Sequence, residues 1–153
     1  CMPLADFRHR HRLRVRYGEC DMQGVVYNAR YLDYGDIAIT EYWRAVGFRF
    51  MGEGAMEFHV ANATVDFKKP IKPDEVLDLW TRTEKIGNTS LTVITEIHGA
   101  RDDGSEDLRS VIREVQVLVD LAEHRPLPLP DAVKEQFRAF DLRQEPVLSG
   151  EVY

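Results

Sequence analysis

The chain has 153 residues, 44% apolar and 30% charged, with a formal net charge of −6. That length and balance fit one folded domain needing no disulfide or metal staple, and they exclude a disordered chain. The acidic excess excludes bulk electrostatic binding to nucleic acid or an anionic membrane, though not a local basic patch.

No apolar run approaches the ~20 residues that span a bilayer. The opening CMPLADFRHRHR lacks the apolar stretch of a signal peptide. With Cys1 set apart ahead of Met2, one thiol remains, Cys20, and it cannot form an internal disulfide. The expected compartment is the reducing cytoplasm.

The first predicted element is a strand. Phe7, His9, His11, Leu13, Val15 and Tyr17 alternate with Arg8, Arg10, Arg12, Arg14 and Arg16, a period of two. The arginine face reads as solvated or subunit-facing, paired with some of the 26 acidic residues, rather than as a phosphate track. His9 and His11 share a face and could hold a metal, but no third ligand accompanies them, so a strand end of mixed polarity is the expectation. His59, His98 and His124 are isolated and read as structural.

A long helix follows, roughly Asn28 to Val46, with Tyr31, Gly35, Ala38, Tyr42 and Ala45 on one stripe, widened by Leu32, Ile39, Trp43 and Val46. Gly47 is placed to end it. Gly47 to Gly54 reads as a loop; Gly52-Glu53-Gly54 is half a dinucleotide fingerprint but follows a helix, not a strand.

Strand-like runs then cover Glu57–Phe67, Glu75–Lys85, Ser90–Gly99 and Leu108–Ala122. In the first, Ala61, Ala63, Val65 and Phe67 share a face. In the last, Val111, Val115, Val117, Val119 and Leu121 do. Pro70 and Pro73 mark one turn and Asp102-Asp103-Gly104-Ser105 another; short connections suggest antiparallel neighbours. Pro126, Pro128 and Pro130 stiffen a segment before a short helix, about Asp131 to Phe140, with Asp131 expected as its N-cap. One long apolar helix beside one sheet must pack on that sheet.

The chain has no G-x-S-x-G elbow, P-loop, H-E-x-x-H or C-x-x-C. Its chemistry is concentrated between Tyr17 and Leu32, where a tight loop carrying Glu19, Cys20, Asp21 and Gly24 joins the strand to the helix. The first turn of a helix offers unpaired N–H groups and a partial positive charge. Such donors can hold an oxygen that turns negative during reaction. Asp21 can supply a nucleophile or a general base beside them. A thioester suits this pair, because its thiolate, of pKa about 8.5, leaves without a strong general acid. An amide would need a proton donor such as His. On the residues alone, Asp21 reads equally well as a cap of the helix or of its own loop. Cys20 is a rival nucleophile without a nearby His, and Glu19 and Asp21 are expected to raise its pKa.

The string ECDMQGVVYNARYLDYGDIA resembles the acyl-CoA thioesterases of the hot-dog fold, the 4-hydroxybenzoyl-CoA thioesterase-like group, whose loop reads D-x-D-x-x-G-x-V-[YFN]-[HNY]-x-x-Y-L. VANATVDFKKPIKPDEV, KIGNTSL and PLPLPDAV extend the match over roughly Leu13 to Phe140. The resemblance implies an α+β hot-dog fold, a five-stranded antiparallel sheet wrapped around the long helix, with a short C-terminal helix. It implies a homodimer with a shared active site, often paired into a homotetramer. Asp21 falls on the catalytic carboxylate, Asn28 where a backbone N–H polarises the thioester carbonyl, and Gly24 on the glycine that turns the chain into the helix.

Two departures stand out. Glu19 replaces the first Asp. Gly87-Asn88-Thr89 lacks the Arg and Lys that hold CoA phosphates in the aryl-CoA members; Lys85 is nearby, and Lys68, Lys69, Lys72 or Arg101 could substitute. An acyl carrier protein is the alternative thiol carrier. The expectation is an acyl-CoA thioester hydrolase in which Asp21 activates water or attacks the carbonyl itself, with no metal, cofactor, nucleic acid or membrane partner. Tyr27, Tyr31 and Tyr34 wall the acyl pocket or belong to the core. Two rivals remain: a dehydratase, which wants a His where Asn28 stands, and a non-catalytic acyl-CoA binding module, which would tolerate loss of Asp21.

Overall fold

The structure, a computed structural model, describes residues 4–49 and 56–151. The half-fingerprint Gly52-Glu53-Gly54 lies outside them. In chain order the elements are β1 (His9–Arg14), α1 (Arg30–Val46), β2 (Glu57–Phe67), β3 (Val76–Ile86), β4 (Ser90–Gly99), β5 (Leu108–Asp120), β6 (Arg125–Pro126), α2 (Asp131–Leu142) and β7 (Val147–Gly150). Single 3-10 turns occupy Leu4–Asp6 and Tyr17–Glu19.

The strands form one seven-stranded sheet in the order β2-β5-β4-β3-β1-β7, with β6 paired to the end of β5. The β1–β7 pair is parallel and the others are antiparallel. The expected α+β class stands, but the sheet has seven strands, not five. Val147–Gly150 is too short to show a period, and Arg125–Pro126 is only two residues. Sequence neighbours β2 and β3 are not adjacent, because β2 crosses to pair with β5.

α1 buries Tyr31, Tyr34, Gly35, Ala38, Ile39 and Tyr42, a stripe of three- and four-residue steps. It lies against β1, β3 and β4. Gly35 faces β5, where a Cβ would stand in ordinary contact with Ile112 at 3.5 Å. Gly47, at φ 89°, ends the helix as expected, and its N–H donates to the Trp43 carbonyl at 3.0 Å. One core surrounds the first half of α1, with Leu13, Val26, Tyr31, Tyr34, Leu77 and Ile112. A second joins its last turns to α2 through Tyr42, Phe48, Phe137 and Phe140. In α2, Pro130 holds the N-cap position and Asp131 is the first helical residue, because Pro fixes the extended backbone that precedes a helix.

Three faces differ from the alternation expected. Phe7 stops short of β1 and packs on the other side of the sheet with Ile94 and Val111. A bulge between Val60 and Asn62 breaks the face shared by Ala61 and Ala63. The valine face of β5 turns away from α1; the helix side carries Ile112, Glu114, Gln116 and Leu118, all buried.

The arginines of β1, and Arg8 just before it, are largely paired within the chain. Arg12 binds Asp78 through two contacts of 2.7 and 3.0 Å, Arg14 reaches Asp74 at 3.2 Å, and Arg8 donates to the Glu145 and Phe140 carbonyls. His11 Nδ1 meets Ser149 Oγ of β7 at 3.0 Å. Among the described residues no helix is long and apolar enough to cross a membrane.

Candidate active site

The loop after β1 folds back on itself. Cys20 and Val26 form an antiparallel bridge, and between them the chain reverses in a tight tip. The Asp21 N–H donates to the Val25 carbonyl at 2.9 Å, and the Gly24 N–H returns to the Asp21 carbonyl at 3.0 Å. Gly24 sits at φ 76°, a conformation that carries little cost only for glycine. The Asp21 carboxylate accepts the Gln23 N–H at 2.8 Å, the local turn for which Asp side chains are suited. Asp21 therefore caps its own loop, not α1, and its side chain is exposed. The Val26 N–H donates to the Ile71 carbonyl at 2.7 Å, which pins the far limb of the tip to the segment after β2.

Asn28 follows the tip. Ala29 occupies the N-cap of α1 and makes no side-chain cap bond. Among the described residues no carbonyl accepts the Asn28 backbone N–H, whereas its own carbonyl accepts the Tyr31 N–H at 3.3 Å. The start of α1 thus presents uncapped donors a few residues after the tip that carries the exposed Asp21.

A cavity of about 210 Å³ opens here, lined by Val25, Val26, Asn28, Tyr31, Phe67, Lys68, Lys69 and Pro70. Of the sequence-derived site residues, Asn28, Lys68 and Lys69 line it. Asp21 and Gly24 stand at the adjoining tip, outside the lining, and Tyr27 is 55% exposed beside it. The three tyrosines separate. Tyr31 forms the wall, edge-on to Phe67 at 4.8 Å. Tyr34 is 1% exposed, belongs to the core and donates its hydroxyl to Glu19 Oε1 at 3.0 Å.

The lysines also separate. Lys69 Nζ lies 3.3 Å from Asp107, which Arg101 and Arg109 also hold at 3.1 and 2.8 Å. These cations, Arg109 first, keep the Asp107 carboxyl well below the usual carboxylate range. Arg109 further donates to the Pro70 carbonyl at 2.9 Å and to Glu75 at 2.7 Å, so it braces the lysine turn. Lys68 has no ion pair among the described residues. Lys72 is exposed, and Lys85 lies in a different groove, between β3 and α2.

Burial first, then Glu19 and Asp21, push the Cys20 thiol up, so it is a poor nucleophile. Among the described residues no group of three or more His, Cys, Asp or Glu could hold a metal ion. Two features escaped sequence reading. Glu19 meets Tyr34, which only the fold brings near. Glu114 is buried beside α1, accepts from Gln116 Nε2 at 3.4 Å, and is pushed up to about 7 by burial, aided by Asp36. Its signal was a polar pair, Glu114 and Gln116, on one face of an otherwise valine-rich strand.

The thioesterase-like superfamily matches residues 15–137. The acyl-CoA thioester hydrolase YbgC of Escherichia coli O6:H1 is 30% identical over 132 residues, 82% of this chain and 92% of that protein. The acyl-CoA thioesterase YbgC of Haemophilus influenzae is 31% identical over 129 residues, 82% of this chain and 90% of that protein. A thioesterase from Thermus thermophilus, solved with coenzyme A and Zn, superposes with a TM-score of 0.77 at 29% identity, covering 90% of this chain and 98% of that one. Sheet, long helix and loop together define a hot-dog thioester hydrolase. The chain belongs to the thioesterase-like superfamily.

Proposed function

We propose that the substrate is an acyl-CoA and that Asp21 is the reacting carboxylate, as nucleophile or as general base toward water. The observation that carries this reading is an exposed Asp21 on the tip that leads into α1, together with an Asn28 N–H that no described backbone carbonyl accepts and that borders the cavity. The thioester carbonyl enters beside Asn28, and the N–H, aided by the helix dipole, takes the charge that develops on oxygen. The thiolate leaves without a protein acid. The relatives named for acyl-CoA hydrolysis and the coenzyme A held by the Thermus neighbour support the choice of carrier.

Asp21→Asn keeps an acceptor for the Gln23 N–H and removes the charge. The expected result is a kcat at least ~10²-fold lower across a panel of aliphatic and aromatic acyl-CoAs. Stability should change by no more than the ~0.5–2 kcal/mol of a lost cap. Near-wild-type hydrolysis by Asp21→Asn would overturn the mechanism. Tight acyl-CoA binding with no turnover in the wild type would make the chain a binding module instead.

We also infer that the working unit is a homodimer. β2 is the last strand on its side of the sheet, and its Val60, Ala63 and Phe67 are exposed. An edge of that kind needs cover, and a second copy supplies it with closed symmetry.

A further inference from the structure

Glu19 is the knot of the site loop, although it lines no cavity. Its Oε1 accepts the Arg16 backbone N–H at 2.8 Å and the Tyr34 hydroxyl at 3.0 Å. Its carbonyl accepts the Tyr27 N–H at 3.0 Å. One residue therefore joins the chain leaving β1, the returning limb of the tip and the second turn of α1. Asp21 lies two residues beyond it and Asn28 one residue beyond Tyr27, so both groups of the proposed site hang from this junction. Tyr34 is a firm point of attachment, 1% exposed within the core around Val15, Val26 and Ile112. Burial, reinforced by the Glu19 carboxylate, holds its phenol well above the usual range, so it donates at any working pH. From outside the loop, among the described residues, the tip is hydrogen-bonded only at its far limb, where the buried Val26 donates to Ile71, and Met22 at its apex is fully exposed.

We propose that Tyr34 and Glu19 are positioning residues for thioester hydrolysis, a half-buried tether that fixes the Asp21 carboxylate relative to the Asn28 N–H. The proposal rests on the reading of Asp21 as the reacting carboxylate. Neither tether residue touches the substrate. Glu19 acts through its two accepted hydrogen bonds and not through its charge. Misplacing a reacting group by about 1 Å can cost up to ~10²-fold in rate, so a partly loosened tip should cost less.

Tyr34→Phe removes the hydroxyl and leaves the ring in the core. It should lower kcat on an acyl-CoA about tenfold while KM stays within about twofold. Glu19→Gln still accepts both hydrogen bonds and should stay within about twofold of wild-type kcat, whereas Glu19→Asp, too short to reach Tyr34, should behave like Tyr34→Phe. The double variant Tyr34→Phe/Glu19→Asp should be no slower than Glu19→Asp alone, because Glu19→Asp already gives up the Tyr34 bond. A loss of general packing would not produce this split or the rescue by Gln.

Amide hydrogen exchange reads the tether without turnover. In Tyr34→Phe the Asp21, Gly24 and Tyr27 amides should exchange faster, and those of β4 should not change. Wild-type kcat in Tyr34→Phe, additive losses in the double variant, or unchanged exchange at the tip would each overturn the tether. A Glu19→Gln as slow as Glu19→Asp would assign the role to the charge instead. Should Asp21→Asn keep its activity, the mechanism fails, and the exchange data still decide whether Tyr34 holds the loop.

Discussion

Two lysines adjacent in sequence have different partners, and that difference separates their expected roles. Lys69 is already engaged by Asp107, while Lys68 stands at the cavity without an ion pair among the described residues. Lys68→Ala should therefore raise KM for acyl-CoA about fivefold or more with little change in kcat, as loss of a charge-assisted contact to a phosphate would. Lys69→Ala should do less, and neither should alter KM for an acyl-pantetheine lacking the nucleotide. Equal KM for wild type and Lys68→Ala on acyl-CoA would reject the assignment. Glu114 allows a second prediction. Its carboxyl titrates at about 7, above the ordinary 4.5, so the folded state binds the extra proton between those values. Its contribution is complete below pH 4.5 and is lost as pH rises through 7, up to about 3 kcal/mol. Glu114→Gln, neutral at every pH, should match the wild-type melting temperature near pH 4.5 and exceed it at pH 8. A pH-independent offset would contradict this. His9 has the opposite sign: burial lowers it to about 4, so its contribution is present above 6.5 and lost as pH falls. Between pH 4.5 and 6.5 the two slopes oppose each other in the wild type.

Among the elements, β7 has only four residues and is held by a specific close approach. Gly150 sits at φ 95°, and a Cβ there would run into the Arg12 backbone. Gly150→Ala should lift the end of β7 from β1 at a cost of about 1–3 kcal/mol. Faster exchange of the Glu151 amide, which donates to the Arg12 carbonyl at 3.0 Å, is the measurement that checks it. No alternation marks this strand, and its partner is set by a contact between residues 138 positions apart, His11 and Ser149. The elements whose bounds were legible, β2 at Glu57–Phe67 and β4 at Ser90–Gly99, are long strand-forming runs, although a bulge interrupts the period of β2. The loop was legible for a different reason, because a tip this tight needs Gly24 and an Asx turn, and both are written locally. What local pattern does not encode is which strand β2 meets, or that Tyr34 leaves the pocket wall for Glu19. Those depend on the crossover and on the depth at which α1 lies.

At the scale of the whole molecule, the exposed β2 edge predicts assembly. Light scattering at micromolar concentration should give about twice the 17.7 kDa chain mass, or a higher even multiple. A mass near 17.7 kDa would overturn the proposed homodimer. The placement of β1 has a consequence for how the chain comes into being. The earliest of the described strands, β1, is an interior one, flanked by β3 and β7, and neither flank exists when it is synthesised. Its antiparallel partner arrives only with Val76–Ile86 and its parallel partner only with Val147–Gly150. Until then the alternating arginines should keep a bare strand hydrated and repel like segments, which would discourage the premature pairing that exposed β-segments invite. Closure must wait for contacts of long sequence separation, so the chain should fold slowly for its size, with the edge beyond β1 sealed last.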